Sequence, residues 1–228
     1  MKHRIIIFSG AGMSAESGIS TFRDSGGLWE NYNIEDVATP QAWEADPDLV
    51  TDFYNLRRKA IIEAKPNNAH NAIASMENEY DIQIITQNID DLHERAGSTN
   101  VLHLHGNIRL AKSSGPDQED AYYPIEGWKL TSNHLSPSGF RLRPHVVWFG
   151  EAVPEYDRAI NVIKEAEILV VIGTSLQVYP AAGLIHYTNT KCQKFIIDPN
   201  VDELNLPEDF TRIKSNVGPG IELFRTLL

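Results

Sequence analysis

The sequence contains only one cysteine, Cys192, among its 228 residues. This excludes an intrachain disulfide and any zinc site built from several cysteines. Long apolar runs are also missing, since none approaches the roughly 20 residues that a membrane-spanning helix requires. The opening stretch, MKHRIIIFSG, has neither the length nor the small-residue cleavage site of a secretory signal peptide. We therefore expect a cytoplasmic protein with no membrane partner.

Basic residues are scarce as well. Lys and Arg number 20 against 31 Asp and Glu, which gives a net charge of −11. Affinity for nucleic acid depends on clustered Lys and Arg, so we expect no direct nucleic-acid partner. The hydrophobic fraction of 42% and the charged fraction of 22% are typical of a soluble globular protein. A chain of this length forms one large domain, or a main domain with a small insertion.

Short apolar runs alternate with helical patterns along the chain. Apolar residues recur at helical spacing after Asp46-Pro47 and after Pro154, and another helix is expected near Pro180. The runs that predict strands are Ile5–Phe8, Ile82–Thr86, Val101–Leu104, Val146–Phe149, Ile168–Ile172 and Phe195–Ile197. This alternation predicts an α/β fold with a parallel sheet covered on both faces. Ligands of such sheets bind beyond the carboxyl ends of the strands.

One segment, Ala111–Leu142, departs from this alternation. It contains turn residues throughout and shows no sustained period. It is too long for a plain loop of a compact domain. We therefore expect a small inserted module at this place.

A glycine-rich stretch, SGAGMSAESGI, follows the first predicted strand. Its pattern Gly10-x-Gly12-x-x-Ala15 fits the loose dinucleotide fingerprint, in which glycines let the backbone approach a pyrophosphate. A dehydrogenase would have a second strand that ends in an acidic residue about 20 positions later. This chain instead has the polar stretch STFRDSGGLWENYN, which predicts a loop able to close over a cofactor and carrying Phe22, Arg23 and Trp29.

Three more polar clusters follow predicted strands: TQNID from Thr86, HLHG from His103 and GTS from Gly173. Each has a purely structural alternative. Asn88 and Asp90 could cap a helix, a lone histidine is more often a structural group, and GTS could be a simple turn. All of them, however, lie where this fold binds ligands. Together they indicate a nucleotide site.

The motifs GAGMSAESGISTFRD, TQNIDDLHERAG, HLHG, VVWFGE and GTS, in this order, resemble the sirtuins, a family of NAD-dependent protein-lysine deacylases. The resemblance runs from about Ile5 to Leu228. It implies a Rossmann-like NAD-binding domain formed by residues 1–30, 80–106 and 145–228. A smaller domain would combine a helical insertion, 31–79, with a second module, 107–144, and the cleft between the domains would hold the substrates.

The resemblance also implies the residues that contact NAD. Those around the phosphates and ribose would be Gly10, Ala11, Gly12 and Ser14, with Phe22, Arg23 and Trp29 on the loop. Those on the nicotinamide side would be Gln87, Asn88, Ile89 and Asp90, and those on the adenosine side Gly173, Thr174, Ser175, Asp198, Asn200 and Ser215. The catalytic residues would be His105, which takes a proton from a ribose hydroxyl, and Asn88. His103 would have a packing or orienting role rather than act as the base.

The predicted substrate is an acylated lysine side chain of a protein or peptide. In the family such a peptide pairs as an added strand, here with Val147, Phe149, Gly150 and Glu151. Tyr54 and Arg57 share a helix face, and their spacing alone favours a rim aromatic and a solvated charge. The sirtuins that remove succinyl, malonyl or glutaryl groups carry the same Tyr-x-x-Arg pattern. A guanidinium and a phenol hydroxyl can bind a carboxylate together, so the resemblance implies an acidic acyl group.

The chain departs from the family in one respect. Most sirtuins carry two cysteine pairs in the segment that matches Asn107–His145, and these bind a structural zinc. Here that segment has no cysteine, and His134 alone cannot replace the ligands. We expect a small domain without metal, in which the packing of Tyr122, Tyr123, Trp128 and Phe140 replaces the folding energy that zinc supplies.

Three functions remain open on sequence grounds. The first is an NAD-dependent protein-lysine deacylase that prefers acidic acyl groups and also has room for acetyl groups. The second is a mono-ADP-ribosyltransferase or NAD glycohydrolase, which needs no acyl pocket, so Tyr54 and Arg57 favour the first. The third is an inactive NAD-sensing interaction protein, against which the intact His105, Asn88 and Asp90 argue. The sequence does not give the oligomeric state.

Overall fold

The structure is a computed structural model that describes residues 2–20 and 32–228. Its strands are β1 (Arg4–Ser9), β2 (Asp81–Thr86), β3 (Val101–His103), β4 (Gly106–Ser113), β5 (Tyr122–Pro124), β6 (Leu142–Val146), β7 (Ile168–Ile172), β8 (Gln193–Ile197) and β9 (Phe210–Ile213). Six of them form a parallel sheet in the order β3-β2-β1-β7-β8-β9. The chain therefore winds outward from β1 in one direction and from β7 in the other. This leaves a topological switch point between these two strands.

Helices cover both faces of the parallel sheet. They are α1 (Gly12–Ala15), α2 (Ile34–Val37), α3 (Pro40–Ala45), α4 (Pro47–Glu63), α5 (Asn68–Met76), α6 (Leu92–Arg95), α7 (Tyr156–Lys164) and α8 (Val217–Arg225), with 3-10 helices at Ala181–Tyr187 and Val201–Glu203. Ile5 and Ile7 of β1 pack with α5 and α8, whereas Ile6 and Phe8 pack with α7. Burial on both faces explains the wholly apolar strands and confirms the predicted α/β class. Within the described ranges, none of the helices has the length and apolarity required to cross a bilayer.

The remaining strands form a small antiparallel sheet in the order β5-β4-β6. Its buried core consists of Ala111, Ile125, Leu130 and Leu142, with Tyr123 packed against them. The other aromatics expected in this core are not buried, since Tyr122, Trp128 and Phe140 are each about 40% exposed. That expectation is therefore wrong for three of four side chains, because smaller aliphatic residues fill the space. The domain boundaries stay a prediction.

The strand expected at Val146–Phe149 is also wrong. Strand β6 ends at Val146 and belongs to the antiparallel sheet. After it the chain bends, and Gly150 adopts φ +91°. The run is apolar for another reason: Trp148 is buried in a cluster with Val37, Val50 and other residues of the helical insertion.

Oxygen-containing side chains bond one another in the module where the resemblance to sirtuins implies a zinc site in most members. Ser113 Oγ donates to Asp117 Oδ1 at 2.5 Å and lies 3.4 Å from Ser136 Oγ. These bonds connect the end of β4 to the turn that precedes β6. Among residues 2–20 and 32–228, no group of three or more His, Cys, Asp or Glu is placed to hold a metal ion. A zinc ion does not fit this set of ligands, and a small domain without metal stays a prediction.

Helix α4 joins the two parts of the small domain. It begins where the sequence predicts, because the Asp46 side chain accepts a hydrogen bond from Leu49 N at 2.9 Å. Near its middle, Asn55 bonds both the N–H and the C=O of Leu130, each at 2.8 Å. The fully buried Arg58 donates to the carbonyl oxygens of Ile108 and Trp128. These contacts attach the antiparallel module to the helical insertion.

We predict that Asn55→Ala destabilises the protein by about 3 kcal/mol, because it leaves two buried backbone groups of Leu130 without partners. Urea denaturation followed by circular dichroism measures this change. Asn71→Ala is the matched control, since Asn71 lies on the exposed face of α5. Equal midpoints for the two variants would contradict the role of Asn55.

Candidate functional site

The turns that follow β1 and β7 meet at the switch point. Gly10 N donates to Ile172 O at 3.1 Å, and Gly12 N donates to Gly173 O at 2.8 Å. A Cβ on Gly12 would lie 2.9 Å from the Gly173 Cα, and one on Gly173 would lie 2.3 Å from Met13 N. Gly173 also has φ +61°, a left-handed conformation that favours glycine. The glycines predicted from the fingerprint are thus required by the contact between the two turns.

The neighbouring strand ends extend this edge. Gly173 N donates to Ile197 O at 3.1 Å, and Asp198 N donates to Ile213 O at 3.2 Å. Asp198 Oδ1 accepts from Asn200 N at 2.8 Å, and Ser215 follows β9 by two residues. The residues predicted for the adenosine side therefore lie in sequence along the carboxyl edge of β7, β8 and β9.

Asn88 is held by three neighbours. Its N–H donates to Thr86 Oγ1 at 3.0 Å, and its side-chain amide donates to Ser14 Oγ at 3.0 Å. Ser14 Oγ in turn donates to Asp90 Oδ2 at 2.8 Å. The Asn88 carbonyl contacts His103 Nδ1 at 3.1 Å. These bonds fix the turn after β2 against α1.

Asp90 has a structural partner at the start of α6. Its Oδ1 accepts a hydrogen bond from the N–H of Leu92, the first residue of that helix, at 3.1 Å. It is also only 5% exposed, at the edge of the switch point. Burial raises the pKa of its carboxyl, and the hydrogen bonds from Ser14 and Leu92 oppose that rise. A buried carboxyl with few donors can accept a further hydrogen bond from a ligand amide.

His105 follows β3, and a contact with one backbone carbonyl sets the orientation of its ring. Its Nδ1 lies 2.9 Å from Gln87 O. A carbonyl oxygen only accepts, so Nδ1 carries the proton and the lone pair is on Nε2. Burial lowers the pKa of His105, and the bond to Gln87 partly offsets this. The ring is therefore neutral at neutral pH and can take up a proton at Nε2.

His103, two residues earlier, has different partners. Besides Asn88 O, it contacts Glu94 Oε1 through Nε2 at 2.7 Å. Burial opposes a charge on the ring, but Glu94 and the Asn88 carbonyl outweigh it and raise the pKa of His103. This agrees with the orienting role expected for His103. Sequence reasoning missed Glu94. The only sequence feature that could have indicated it is its position in the short helix after the NID stretch.

A buried pair of histidines lies beneath the site, and sequence reasoning missed this pair too. His93 Nε2 forms a hydrogen bond with Ser9 Oγ at 3.1 Å, and Ser9 Oγ donates to Thr86 Oγ1 at 2.9 Å. The ring of His70 packs edge-on against that of His93, with centroids 4.8 Å apart. Burial lowers the pKa of His70 to about 4 and that of His93 well below its ordinary value. Both rings are therefore neutral in the folded protein.

Tyr54 and Arg57 come to the other side of the same site. Tyr54 is 3% exposed and packs in a cluster with Trp148, and Ile89 of the β2–α6 turn packs against that cluster. The Arg57 guanidinium is half-buried and lies 5.9 Å from the Phe53 ring. Burial lowers the pKa of Arg57, and the charges of Tyr54 and Asp90 oppose this. Arg57 is therefore within electrostatic range of Asp90 at the carboxyl edge.

The segment Val147–Glu151 borders the site, but several of its polar groups are already bonded. Val147 N donates to His105 O at 2.9 Å, and Phe149 N donates to Ala38 O at 3.0 Å. The Glu151 carboxylate accepts from Trp148 N and receives two hydrogen bonds from Arg143, at 2.7 and 2.9 Å. Glu151 thus holds the turn, while the Phe149 side chain is 44% exposed.

The predicted residues fall into three groups. Those along the carboxyl edge are Gly10, Ala11, Gly12, Ser14, Gln87, Asn88, Ile89, Asp90, His105, Gly173, Thr174, Ser175, Asp198, Asn200 and Ser215. Those that flank it from the small domain and its junction are Tyr54, Arg57, Val147, Phe149, Gly150 and Glu151. Those that lie outside the described residues are Phe22, Arg23 and Trp29.

The sequence profile of the Sir2 family matches residues 10–180. The chain belongs to the Sir2 family. It is 44% identical over 231 residues to an NAD-dependent protein deacylase of Bacteroides thetaiotaomicron. This alignment covers 98% of this sirtuin and 97% of the relative. It is 50% identical over 200 residues to an NAD-dependent protein deacylase of Aggregatibacter actinomycetemcomitans. That alignment covers 88% of this sirtuin and 95% of the relative.

Solved structures of sirtuins have the same fold. A crystal structure of a Sir2 homologue in complex with NAD superposes with a TM-score of 0.86 at 36% identity, and covers 99% of this chain and 90% of that one. A Sir2 variant with a deacetylated p53 peptide and 3'-O-acetyl ADP-ribose gives a TM-score of 0.81 at 27% identity, and covers 99% and 94%. These matches confirm the family and the Rossmann-like fold inferred from the motifs.

We predict that this sirtuin loses stability as the pH falls from about 6.5 to about 4, because the unfolded chain protonates its histidines in that range whereas folded His70 does not. His70 accounts for about 2 kcal/mol of the loss between pH 7.5 and pH 5. The measurement is the free energy of unfolding of the wild type and His70→Asn at both pH values.

In His70→Asn the asparagine oxygen retains the acceptor for Asn67 N, which His70 Nδ1 provides at 3.3 Å. The difference between the two pH values should shrink by about 2 kcal/mol in this variant. His186→Asn, at an exposed position, is the control. An unchanged pH difference in His70→Asn would show that His70 is not a buried neutral group.

Proposed function

We propose that this sirtuin is an NAD-dependent protein-lysine deacylase that binds NAD along the carboxyl edge of its parallel sheet. The observation that carries the proposal is the position of His105. Its Nδ1 is bonded to Gln87 O at 2.9 Å, next to the bonded group of Asn88, Ser14 and Asp90. A neutral base and a buried carboxyl thus lie together at the carboxyl edge of the sheet, on the β2–β3 side of the switch point where this fold binds dinucleotides.

The chemistry of the donor set fits NAD. The glycine turn after β1 is held against the turn after β7, which leaves a site without side chains for a pyrophosphate. The buried Asp90 carboxyl suits the amine of a carboxamide. NAD, when bound, supplies a ribose carbon from which nicotinamide departs. Asn88 and Asp90 orient the nicotinamide side, and His105 Nε2 takes a proton from a ribose hydroxyl.

Tyr54 and Arg57 support a preference for acidic acyl groups. Burial lowers the pKa of Arg57. Burial would not lower the pKa of an arginine that is fully solvated on the surface. A half-buried guanidinium near a tyrosine hydroxyl is suited to a carboxylate, which accepts two parallel hydrogen bonds from the guanidinium and a third from the phenol. We propose that succinyl, malonyl and glutaryl groups bind there, with the acyl carboxylate on Arg57. A deacylase needs such a pocket, and a simple NAD glycohydrolase does not.

The proposed peptide site is the segment Val147–Glu151. Because the N–H groups of Val147 and Phe149 bond within the chain, a substrate strand would pair with other backbone groups of the segment. The exposed Phe149 ring supplies apolar contact. Recognition through the main chain gives little sequence selectivity. Expected partners are therefore acylated lysines in varied protein contexts, and the cytoplasmic location stays a prediction.

The product assay tests the proposal. The protein is incubated with NAD and a succinyl-lysine or acetyl-lysine peptide, and the products are identified by mass. Deacylated peptide together with O-acyl-ADP-ribose supports a deacylase. Peptide or protein that gains ADP-ribose would indicate a transferase, and nicotinamide without deacylation would indicate a glycohydrolase. NAD binding without any product would indicate an inactive sensor.

We predict that His105→Ala lowers the rate of deacylation by about 100-fold to 10,000-fold, because it removes the general base. Its affinity for NAD, measured by calorimetry, should change little. The exposed His186 provides the control variant, His186→Ala. Wild-type turnover by His105→Ala would refute the assigned role.

We predict that Arg57→Met lowers kcat/KM for a succinyl-lysine peptide about 30-fold more than for an acetyl-lysine peptide, since a buried charge-assisted pair contributes about 2 kcal/mol. The acetyl substrate serves as the internal control for folding and NAD binding. Arg57→Lys should fall in between, because an ammonium group cannot form the bidentate pair. Equal losses for both peptides would rule out a carboxylate contact at Arg57.

A further inference from the structure

We propose that His103 and Glu94 position Asn88 for nicotinamide release, and that His103 does so as an imidazolium held between a carboxylate and a backbone carbonyl. The proposal rests on the proposed function, in which Asn88 orients the nicotinamide side of NAD. His103 and Glu94 would be positioning residues, because they act through Asn88.

A continuous hydrogen-bonded chain connects the pair to the site. Glu94 Oε1 lies 2.7 Å from His103 Nε2, and His103 Nδ1 lies 3.1 Å from Asn88 O. The Asn88 amide donates to Ser14 Oγ at 3.0 Å, and Ser14 Oγ donates to Asp90 Oδ2 at 2.8 Å. A change at Glu94 can therefore reach both side chains proposed to hold nicotinamide.

The geometry requires two protons on the His103 ring. Both of its partners, a carbonyl oxygen and a carboxylate oxygen, only accept hydrogen bonds, so both ring nitrogens must donate. A neutral ring has one N–H and would leave one partner facing a lone pair. Asn107 Nδ2 lies 3.5 Å from Nε2, too far to compete with the contact to Glu94.

The surrounding charges favour the imidazolium. Glu94 and Asp90 both raise the pKa of His103. The two nearby histidines, His93 and His145, have pKa values lowered by burial and are neutral, so they do not repel the charged ring. The side chain of His103 is 13% exposed and that of Glu94 is 38% exposed, so water screens the contact in part from the Glu94 side.

The two histidines of the HLHG stretch therefore have opposite tasks. His105 faces one backbone carbonyl and no carboxylate, and burial keeps it neutral and basic. His103 faces a carboxylate as well and keeps its charge. The rate of nicotinamide release should then fall at alkaline pH, when His103 loses a proton and one of its two contacts.

The experiment measures nicotinamide release across pH at saturating NAD and acyl peptide, in parallel with an NMR titration of the histidine rings. Glu94→Gln should move both the alkaline limb of the rate and the His103 titration to lower pH by about one unit, because it removes the stabilising charge. Glu126→Gln, at an exposed position, should move neither. Circular dichroism verifies that each variant is folded.

A second pair of variants separates positioning from folding. In His103→Asn the amide nitrogen takes the place of Nδ1, so it can still donate to Asn88 O but does not titrate. It should retain most of the plateau rate and lose the alkaline limb. His103→Ala, which has no donor, should reduce the plateau rate about 10-fold or more at unchanged KM for the peptide.

The outcomes distinguish the two proposals. An alkaline limb and a His103 titration that stay unmoved in Glu94→Gln would overturn the positioning role, even if deacylation is intact. Nicotinamide release that shifts as expected without deacylated peptide would support the positioning role and refute the deacylase. A wild-type protein that never releases nicotinamide would overturn both.

Discussion

The contact between the turns after β1 and β7 is the constraint on which the site depends. Two backbone hydrogen bonds, Gly10 N to Ile172 O and Gly12 N to Gly173 O, hold the turns together. No side chain fits between Gly12 and Gly173. Because β1 and β7 start the two halves of the sheet, their contact aligns the carboxyl edges of both halves. Glycines at these positions keep side chains out of the turn, which is the feature that the glycine-rich dinucleotide fingerprint requires.

Helix α4 connects the small domain to this edge, and its successive residues face different surroundings. Asn55 and Arg58 point into the antiparallel module and bond its backbone. Tyr54 packs in a cluster with Trp148, and the charge of Asp90 raises the pKa of Arg57 against the lowering by burial. The helix that bonds the antiparallel module is therefore also the helix proposed to recognise the acyl group.

The chemistry of the site arises from differences between similar side chains. His103 and His105 lie at the end of one strand, but only His103 has a carboxylate partner. His70 and His93 hydrogen-bond Asn67 N and Ser9 Oγ rather than a carboxylate, and burial keeps both rings neutral. In a buried environment a single partner decides whether an imidazole is charged, because desolvation and one charge-assisted hydrogen bond have similar magnitudes. His103, whose pKa is raised, and His105, whose pKa is lowered, thus differ through their partners although they lie two residues apart.

The parallel sheet, the polar residues at its carboxyl edge and the family could be predicted from the sequence, because these follow from local patterns: apolar strands, a glycine turn and polar residues directly after strands. Other features depended on the tertiary fold. Arg58 is buried while Arg57 is half-buried, Glu94 pairs with His103, and Val146–Phe149 is not a strand of the main sheet. The exposure of Tyr122, Trp128 and Phe140 could not be predicted from the sequence either. Burial and partners depend on contacts between residues far apart in the chain, and no local pattern encodes those contacts.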